Sequence, residues 1–178
     1  LYSVRNSYSM TVQVVLEELG LDYALEWVKI HIPLAEKDAG LLANNPNGRV
    51  PTLITPQGPV YESGAILVYL AENHLDAGLM PPIDDPARML YWQWHFFLVT
   101  SFQPEAIIQD DCNPYVTARV FRDTLIAASM QRLRHLWKVL DDAFTEGPYL
   151  LGQRYSTCDI SFAMQACWPL SQPPEGLS

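Results

Sequence analysis

The hydrophobic pattern at the start of the chain changes from strand to helix and back to strand. Leu1–Val4 is short and apolar, and Tyr23–Trp27 alternates between apolar and other residues, so both segments predict strands. Between them, apolar residues recur at the helical spacing i, i+3, i+4 and i+7, at Val12, Val15, Leu16 and Leu19. Gly20 then stands where a helix commonly ends. The pattern predicts a β-α-β unit with parallel strands.

The next stretch predicts a loop, a hairpin and a helix. Residues 31–40 indicate a loop with one helical turn, and a cluster of turn-forming residues follows at Asn44–Gly48. Thr52–Ile54 and Val60–Tyr61 flank a tight turn and predict an antiparallel hairpin. The helical spacing returns in Gly64–Asn73.

A proline-rich stretch then marks a boundary. Residues 77–85 contain Pro81 and Pro82 and predict a linker between a domain of residues 1–76 and a domain of residues 86–178. The first domain is predicted to be a small mixed sheet with helices. The second is predicted to be all-helical.

Three helices are predicted in the second domain. The first runs over about Pro86–Asp110, with a kink at Pro104, and the second over about Tyr115–Thr145. The third covers the apolar run Ile160–Trp168, and Ser156–Asp159 before it has the spacing of a capping box.

Composition and charge narrow the class of protein. Of the 178 residues, 49% are hydrophobic and 17% are charged, which is typical of a folded globular chain. A net charge of −9 argues against binding to nucleic acid or to an anionic membrane surface. No apolar run is long enough to span a bilayer. The odd number of cysteines, 3, fits a reducing compartment, so we expect a cytoplasmic location.

The sequence lacks motifs for metal or nucleotide chemistry. The histidines lie far apart and no two cysteines have metal-site spacing, so we expect no metal. The glycines form no G-x-G pattern, which excludes the common nucleotide-binding motifs. Any reaction that the protein catalyses therefore depends on a side chain outside these recognised motifs, or on a reagent that the protein binds.

Four segments, taken in order, carry a resemblance to a known family. They are Leu1–Gly20, Asn45–Leu53, Tyr61–Leu70 and Tyr149–Asp159. Together they resemble the soluble glutathione transferases, whose fold joins an α/β thioredoxin-like N-terminal domain to an all-α C-terminal helical domain. The resemblance implies that the first domain binds glutathione. The family usually continues for one or more helices beyond the capping-box helix, which points to a helical domain truncated at its C-terminus.

The resemblance implies a set of glutathione-binding residues in the first domain: Arg49, Val50, Pro51, Glu62 and Ser63. It implies a cis bond before Pro51, which would turn the Val50 backbone toward the cysteinyl part of glutathione. Arg49 would meet the glycyl carboxylate. At a helix start, Ser63 suits the γ-glutamyl carboxylate and Glu62 the ammonium group. The alternative is that Ser63 only caps the helix, Glu62 only favours its first turn, and Arg49 is merely solvated.

The glutathione thiol must ionise to react, and a hydroxyl group near a helix start can stabilise the thiolate. Ser7 is the candidate, because its position resembles that of the serine in the serine-using members of the family. Tyr8 and Ser9 are the alternatives. Ser9 is expected to cap the following helix, which leaves Ser7 freer to bind the ligand. The alternative is that all three residues merely cap the helix.

Four residues of the second domain share a helical spacing: Trp92, His95, Phe96 and Val99. They are candidates for an electrophile pocket. Core packing is the alternative, because aromatic stripes on helices usually pack.

The resemblance implies a glutathione transferase that acts in detoxification, with glutathione as co-substrate and no permanently bound cofactor. Its expected partners are an electrophilic small molecule and a second copy of the chain in a homodimer. The alternatives are a glutathione-dependent isomerase or peroxidase, and a non-catalytic binding or scaffold protein. An oxidoreductase that uses its own thiol is disfavoured, because Cys112, Cys158 and Cys167 all lie outside the first domain.

Overall fold

The computed structural model describes residues 1–116 and 118–167 of the chain. The chain divides into two compact units, one of residues Leu1–Met80 and one that begins at Pro81. This boundary falls inside residues 77–85, whose role as a linker stays a prediction. No helix in the described ranges is both long enough and apolar enough to cross a membrane.

The first unit contains a mixed sheet of four strands in the order β2-β1-β3-β4. The strands are β1 (Tyr2–Ser3), β2 (Glu26–Trp27), β3 (Thr52–Thr55) and β4 (Gly58–Tyr61). β1 and β2 are parallel, as the β-α-β pattern predicts. β3 and β4 form the predicted antiparallel hairpin, and β3 also pairs antiparallel with β1, with Tyr2 opposite Thr52.

Three helices accompany the sheet: α1 (Ser9–Glu18), α2 (Ala39–Asn44) and α3 (Ser63–Asn73). Single 3-10 turns lie at Leu34–Glu36, inside the predicted loop, and at Leu75–Ala77. The apolar pattern does not predict α2, because a helix of 6 residues is too short to show a period. It begins instead from its N-cap, where the Asp38 carboxylate accepts a hydrogen bond from the Leu41 N–H at 2.8 Å.

The core of the first unit lies between α1 and α3, which pack against each other. The buried side chains are Val12, Val15 and Leu16 from α1 and Ile66, Leu67 and Leu70 from α3. Burying each of these side chains contributes about 1.5–3 kcal/mol. The packing therefore confirms three of the four residues of the predicted apolar face, whereas the fourth, Leu19, is the half-buried C-cap residue of α1.

Helices make up the regular structure in the described part of the second unit, apart from two isolated bridges within Tyr149–Arg154. The elements are α4 (Ala87–Phe96), a π-helical segment (Phe97–Phe102), α5 (Gln103–Asp110), a 3-10 turn (Arg119–Phe121), α6 (Arg122–Ala143), a 3-10 turn (Phe144–Glu146) and α7 (Thr157–Ala166). The π-helical segment precedes Pro104, where the sequence predicts a kink. Pro104 lies in the first turn of α5, where its missing N–H leaves no helical bond unmade.

α6 begins at Arg122, later than the predicted start near Tyr115. The intervening backbone forms turns instead. The Asp111 carboxylate accepts a hydrogen bond from the Asn113 backbone N–H at 2.9 Å. The Tyr115 N–H donates to the Cys112 carbonyl at 3.0 Å. These local bonds hold the backbone around Asn113 and Tyr115 in turns and compete with helix formation there.

The predicted capping box is present at the start of α7. Ser156 Oγ accepts a hydrogen bond from the Cys158 N–H at 3.2 Å, and the Asp159 carboxylate accepts one from the Ser156 N–H at 2.9 Å. Asp159 also accepts from the Leu150 N–H at 2.8 Å, which ties the preceding turn to the helix. Trp168, the predicted last residue of this helix, lies outside the described residues.

We expect Ser156→Ala to lower the free energy of unfolding by about 0.5–2 kcal/mol, because it removes the cap of α7. It also removes the hydroxyl that bonds the Asp159 carboxylate at 3.0 Å. Urea unfolding followed by circular dichroism measures the change. Ser161→Ala, at a buried serine within the same helix, is the control and should cost much less, because alanine is the best helix former. Equal losses in the two variants would contradict the capping role.

Candidate functional site

The pairing of β1 with β3 brings three predicted site segments to one edge of the sheet. The loop that contains Ser7 follows the C-terminal end of β1. β3 runs antiparallel to β1, so the Val50–Pro51 segment that enters β3 lies at the same edge. β4 runs antiparallel to β3, so the Glu62–Ser63 turn that leaves β4 also lies there. The topology thus gathers the predicted catalytic loop and both predicted binding segments.

The peptide bond between Val50 and Pro51 is cis, which confirms the predicted geometry. Asn45, with a side chain only 1% exposed, holds this segment from inside. Its amide donates to the Arg49 carbonyl and to Thr52 Oγ1, each at 3.0 Å. The Val50 backbone makes no hydrogen bond to another described residue. An extended peptide can therefore pair with it in the manner of an added strand.

Glu62 joins β4 to α3 with a positive φ of 69°. A non-glycine residue in this region costs about 1–3 kcal/mol, and such strain concentrates at ligand sites. Glu62 is the N-cap of α3 but makes no side-chain capping bond. Ser63 is the first helical residue, so the reading in which it only caps the helix is wrong. Its hydroxyl bonds no other described residue, and the first-turn N–H groups are open to an anion.

Two basic side chains lie near the cis-proline segment. Arg49 is exposed, and Lys37 Nζ donates to the Gly48 carbonyl at 2.7 Å. Desolvation and, to a smaller extent, the nearby Arg49 charge lower the pKa of Lys37. Gly48 has a φ of +60°, a conformation that strains any residue with a Cβ, and a Cβ there would also lie only 2.9 Å from the Lys37 side chain. The pair concentrates positive charge in an otherwise acidic chain.

The three hydroxyl candidates differ in exposure. Tyr8 and Ser9 are buried, with 7% and 0% of their surface exposed, whereas Ser7 is half-buried. Burial raises the pKa of Tyr8, because the charged phenolate is disfavoured away from water. Ser7 is therefore the most accessible of the three to a ligand.

Ser9 does not cap α1, and this prediction is wrong. The N-cap is Tyr8, and Ser9 is already the first helical residue, too far into the helix to bond the N–H groups of the first turn. Ser7 takes part of that role, since its Oγ accepts a hydrogen bond from the Ser9 N–H at 3.3 Å. The Ser7 hydroxyl donates to the Val4 carbonyl at 2.7 Å and lies 2.6 Å from Ser9 Oγ.

Three of the four predicted electrophile-pocket residues, Trp92, His95 and Phe96, form a series of aromatic contacts along α4, and Val99 lies in the π-helical segment that follows. The Trp92 ring stacks on Phe96 with centroids 5.7 Å apart, and the His95 ring lies 5.8 Å from Tyr91 and from Trp92. His95 is 5% exposed and Phe96 is 54% exposed. Burial lowers the pKa of His95 to about 4, so its imidazole is neutral at neutral pH. His95 thus packs as a core residue, and the pocket role of the group, including Val99, stays a prediction.

Sequence reasoning misses three residues that contact the predicted site segments: Lys37, Asn45 and Ser3, whose Oγ lies 2.7 Å from Ser9 Oγ. A lone lysine in a loop and a serine in a strand carry no pattern. The density of turn residues around Asn45 is a signal, because such a loop needs an internal hydrogen-bonding side chain. The Asn47 N–H donates to Asn45 Oδ1 at 3.0 Å. Within the described ranges, no group of three His, Cys, Asp or Glu side chains is placed to hold a metal ion.

Comparison with known proteins agrees with this geometry. The sequence model of the family described as "Glutathione S-transferase, N-terminal domain" matches residues 1–72. Glutathione S-transferase 1 of Schizosaccharomyces pombe is 32% identical over 155 residues, which cover 83% of this chain and 65% of that protein. Disulfide-bond oxidoreductase YfcG of Escherichia coli is 30% identical over 173 residues, which cover 89% of this chain and 72% of that protein.

A solved sphingomonad glutathione S-transferase complexed with glutathione has the same fold. It matches with a TM-score of 0.79 over 98% of this chain and 84% of that chain, at 24% identity. The fold is therefore the predicted one, a thioredoxin-like N-terminal domain followed by a mostly helical remainder. This chain belongs to the soluble glutathione transferase family. It spans about two thirds, 65%, of the length of the S. pombe relative.

We expect His95 to make the folded protein less stable in mild acid. Its folded-state pKa of about 4 lies below the ordinary value of 6.5, so the unfolded chain binds the proton first as the pH falls. The free energy of unfolding is therefore unaffected by protonation of His95 above about pH 6.5. It falls progressively as the pH drops to about 4, by up to about 3 kcal/mol.

Urea unfolding between about pH 7.5 and pH 4 tests this expectation. His95→Phe should lose less stability over that range than the wild type. His31→Gln, which changes an exposed histidine, is the control. The same pH dependence in the wild type and in His95→Phe would show that His95 is not a buried neutral group.

Proposed function

We propose that this protein is a glutathione transferase of the serine-using type. It binds glutathione in its first unit, ionises the thiol and transfers the sulfur to an electrophilic small molecule. The observation that carries the proposal is the gathering of Ser7, the cis Val50–Pro51 bond and the Glu62–Ser63 turn at one sheet edge. Membership of the family supports the same function.

Each end of glutathione has a chemically matched partner. The γ-glutamyl carboxylate accepts hydrogen bonds from Ser63 and from the open N–H groups at the start of α3, whose dipole favours an anion. Glu62 holds the adjacent ammonium group. The glycyl carboxylate lies by Arg49, with Lys37 as a second cation, and the cysteinyl backbone pairs with Val50.

Ionisation of the thiol needs only modest help. A free thiol has a pKa of about 8.5, and lowering it by about two units makes thiolate the major form at a differential cost of about 2.7 kcal/mol. One hydrogen bond from Ser7 to the thiolate supplies about 1.5–3 kcal/mol. The N-terminus of α1 adds about 0.3–1 kcal/mol. The two sources together are sufficient.

The thiolate then attacks an electrophilic carbon, in a substitution that expels a leaving group or in an addition. The residues of the second unit that we assign to binding the electrophile are Trp92, Phe96 and Val99, and the His95 ring packs against Trp92 and Phe96. Isomerisation of a conjugated double bond and reduction of a peroxide use the same thiolate and are the alternative reactions. A scaffold role is disfavoured, because it has no need for a matched set of tripeptide-binding groups.

The protein's own thiols are poor reagents for disulfide chemistry. Cys112 and Cys158 are buried, and burial raises the pKa of the Cys158 thiol. Cys167 is exposed, but none of the three lies in the first unit. The reactive sulfur is therefore that of glutathione.

Retention on immobilised glutathione, followed by a conjugation assay, tests the proposed function. The protein should be retained, be released by free glutathione, and convert an aromatic halide to its glutathione conjugate. Retention with turnover only of a conjugated alkene or a hydroperoxide would assign the alternative reactions. Retention without turnover of any of the three would support a scaffold, and no retention would contradict glutathione binding.

We expect Glu62→Ala and Ser63→Ala each to weaken glutathione binding by about 1.5–3 kcal/mol, which is about 10- to 100-fold in Kd, because each removes a partner of a charged ligand group. Calorimetric titration measures the loss. Unfolding free energies should change by less than about 0.5 kcal/mol, since neither side chain caps α3. Glu72→Ala, at the exposed far end of α3, is the matched control and should bind normally. Parallel losses of affinity and stability would support a purely structural role.

We expect Ser7→Ala to raise the pKa of bound glutathione by about 1–2 units while its affinity stays nearly intact. The absorbance of the bound thiolate against pH measures it. Tyr8→Phe should leave the titration unchanged, because Tyr8 is buried. A shift in Tyr8→Phe but not in Ser7→Ala would reassign the catalytic hydroxyl to Tyr8.

The assembly that we propose is a cytoplasmic homodimer, as is usual in the family. Large apolar side chains with more than half of their surface exposed in the second unit support an interface: Ile83, Met89, Val120 and Phe121. Light scattering at micromolar concentration should give twice the mass of the chain. A mass equal to one chain would contradict the dimer.

A further inference from the structure

Three serine hydroxyls form a connected cluster between the end of β1 and the start of α1. Ser3 Oγ lies 2.7 Å from Ser9 Oγ, and Ser9 Oγ lies 2.6 Å from Ser7 Oγ. Ser3 and Ser9 are both 0% exposed, whereas Ser7 is half-buried. The cluster thus runs from the interior of the unit to the one hydroxyl that a ligand can reach.

The short contacts determine which way each hydrogen points. Ser7 donates its single hydroxyl hydrogen to the Val4 carbonyl at 2.7 Å. The 2.6 Å contact between Ser9 and Ser7 must then use the Ser9 hydrogen. By the same count, the 2.7 Å contact between Ser3 and Ser9 must use the Ser3 hydrogen. Ser9 Oγ also lies 3.1 Å from the Val4 carbonyl, but this contact is longer than the 2.6 Å contact with Ser7. The three shortest contacts are satisfied together by only one arrangement, in which Ser3 donates to Ser9, Ser9 donates to Ser7 and Ser7 donates to the Val4 carbonyl.

The buried end of this series has its own donor. Gln13 Nε2 donates to Ser3 Oγ at 3.0 Å, so Ser3 already accepts and is free to donate to Ser9. The Val4 N–H likewise donates to Ser9 Oγ at 3.3 Å, so Ser9 also accepts and can donate its own hydrogen to Ser7. Hydrogen bonds that run in one direction polarise each other, so each member becomes a stronger donor.

We propose that Ser9, with Ser3 behind it, is a positioning residue that polarises the Ser7 hydroxyl toward the sulfur of glutathione; this inference rests on the proposed function. Without a ligand, the Ser7 hydrogen rests on the Val4 carbonyl. A bound thiolate competes for that hydrogen, while Ser9 continues to donate to Ser7. The thiol proton leaves to solvent, and each serine keeps its own hydrogen, so the hydroxyls stabilise the anion without transferring a proton.

A purely structural role makes a different prediction. Buried hydroxyls that only satisfy each other affect the stability of the fold when they are removed, and they leave the ionisation of a ligand unchanged. A hydroxyl that acts through Ser7 affects that ionisation and does so only while Ser7 is present. The double-mutant cycle of Ser7 and Ser9 separates the two roles.

The experiment titrates the thiolate absorbance of bound glutathione in four variants and the wild type. Ser9→Ala should raise the pKa of the bound thiol by about 0.5 unit, from the loss of one cooperative bond. Ser7→Ala should raise it by about 1–2 units, and the double variant should match Ser7→Ala. Thr11→Val is the matched control: Thr11 is 1% exposed on the same helix, and its hydroxyl bonds no other described residue. It should leave the titration unchanged.

The outcomes separate this inference from the function on which it rests. If the wild type does not bind glutathione, the proposed function fails and this inference fails with it. If it binds and titrates but Ser9→Ala has the wild-type pKa, only the role of Ser9 is overturned. The same holds if the Ser9→Ala effect persists in the Ser7→Ala background. Should Ser9→Ala fail to fold, Ser3→Ala is measured in its place. It should raise the pKa of the bound thiol by a smaller amount than is expected for Ser9→Ala. An unchanged pKa in Ser3→Ala would overturn the proposal.

Discussion

The antiparallel pairing of β1 with β3 is the constraint on which the site depends. It sets Tyr2 beside Thr52 and so brings the end of the first strand to the point where the cis-proline segment enters the sheet. β1 is only 2 residues long, so its backbone hydrogen bonds alone cannot secure this register. The packing of α1 on α3 supplies the missing stabilisation, because α1 follows β1 in sequence and α3 follows the hairpin that β3 forms with β4.

The hydroxyl cluster at the start of α1 follows from burying polar groups beside that short strand. A buried hydroxyl without a partner costs about 1–3 kcal/mol, so Ser3 and Ser9 are held by their mutual bond. Ser7 completes the series at the surface of the unit. The same bonds that stabilise the junction of β1 and α1 thereby fix the direction in which the outermost hydroxyl can donate.

Electrostatics divide the candidate site into two ends. The chain carries a net charge of −9, which on its own repels an anionic peptide. Lys37 and Arg49 give this end of the site a local positive charge. They lie close enough together that the Arg49 charge lowers the pKa of Lys37. At the other end, Glu62 sets a negative charge at the start of α3, where the helix itself favours an anion. A ligand with two carboxylates and one ammonium group matches this arrangement.

Local features of this protein were predictable from the sequence, and contacts between distant segments were not. Three local features depend only on residues near one another in sequence, and their spacing can be recognised there. They are the helical period of apolar residues in α1, the β3–β4 hairpin and the capping box at Ser156. Resemblance supplied the cis bond at Val50–Pro51 and the outline of the site. The bonds of Ser9 to Ser3, and the approach of Lys37 to Arg49, arise only when the chain folds back on itself. Tertiary structure decided them, because sidechain partners far apart in sequence have no spacing by which they could be recognised.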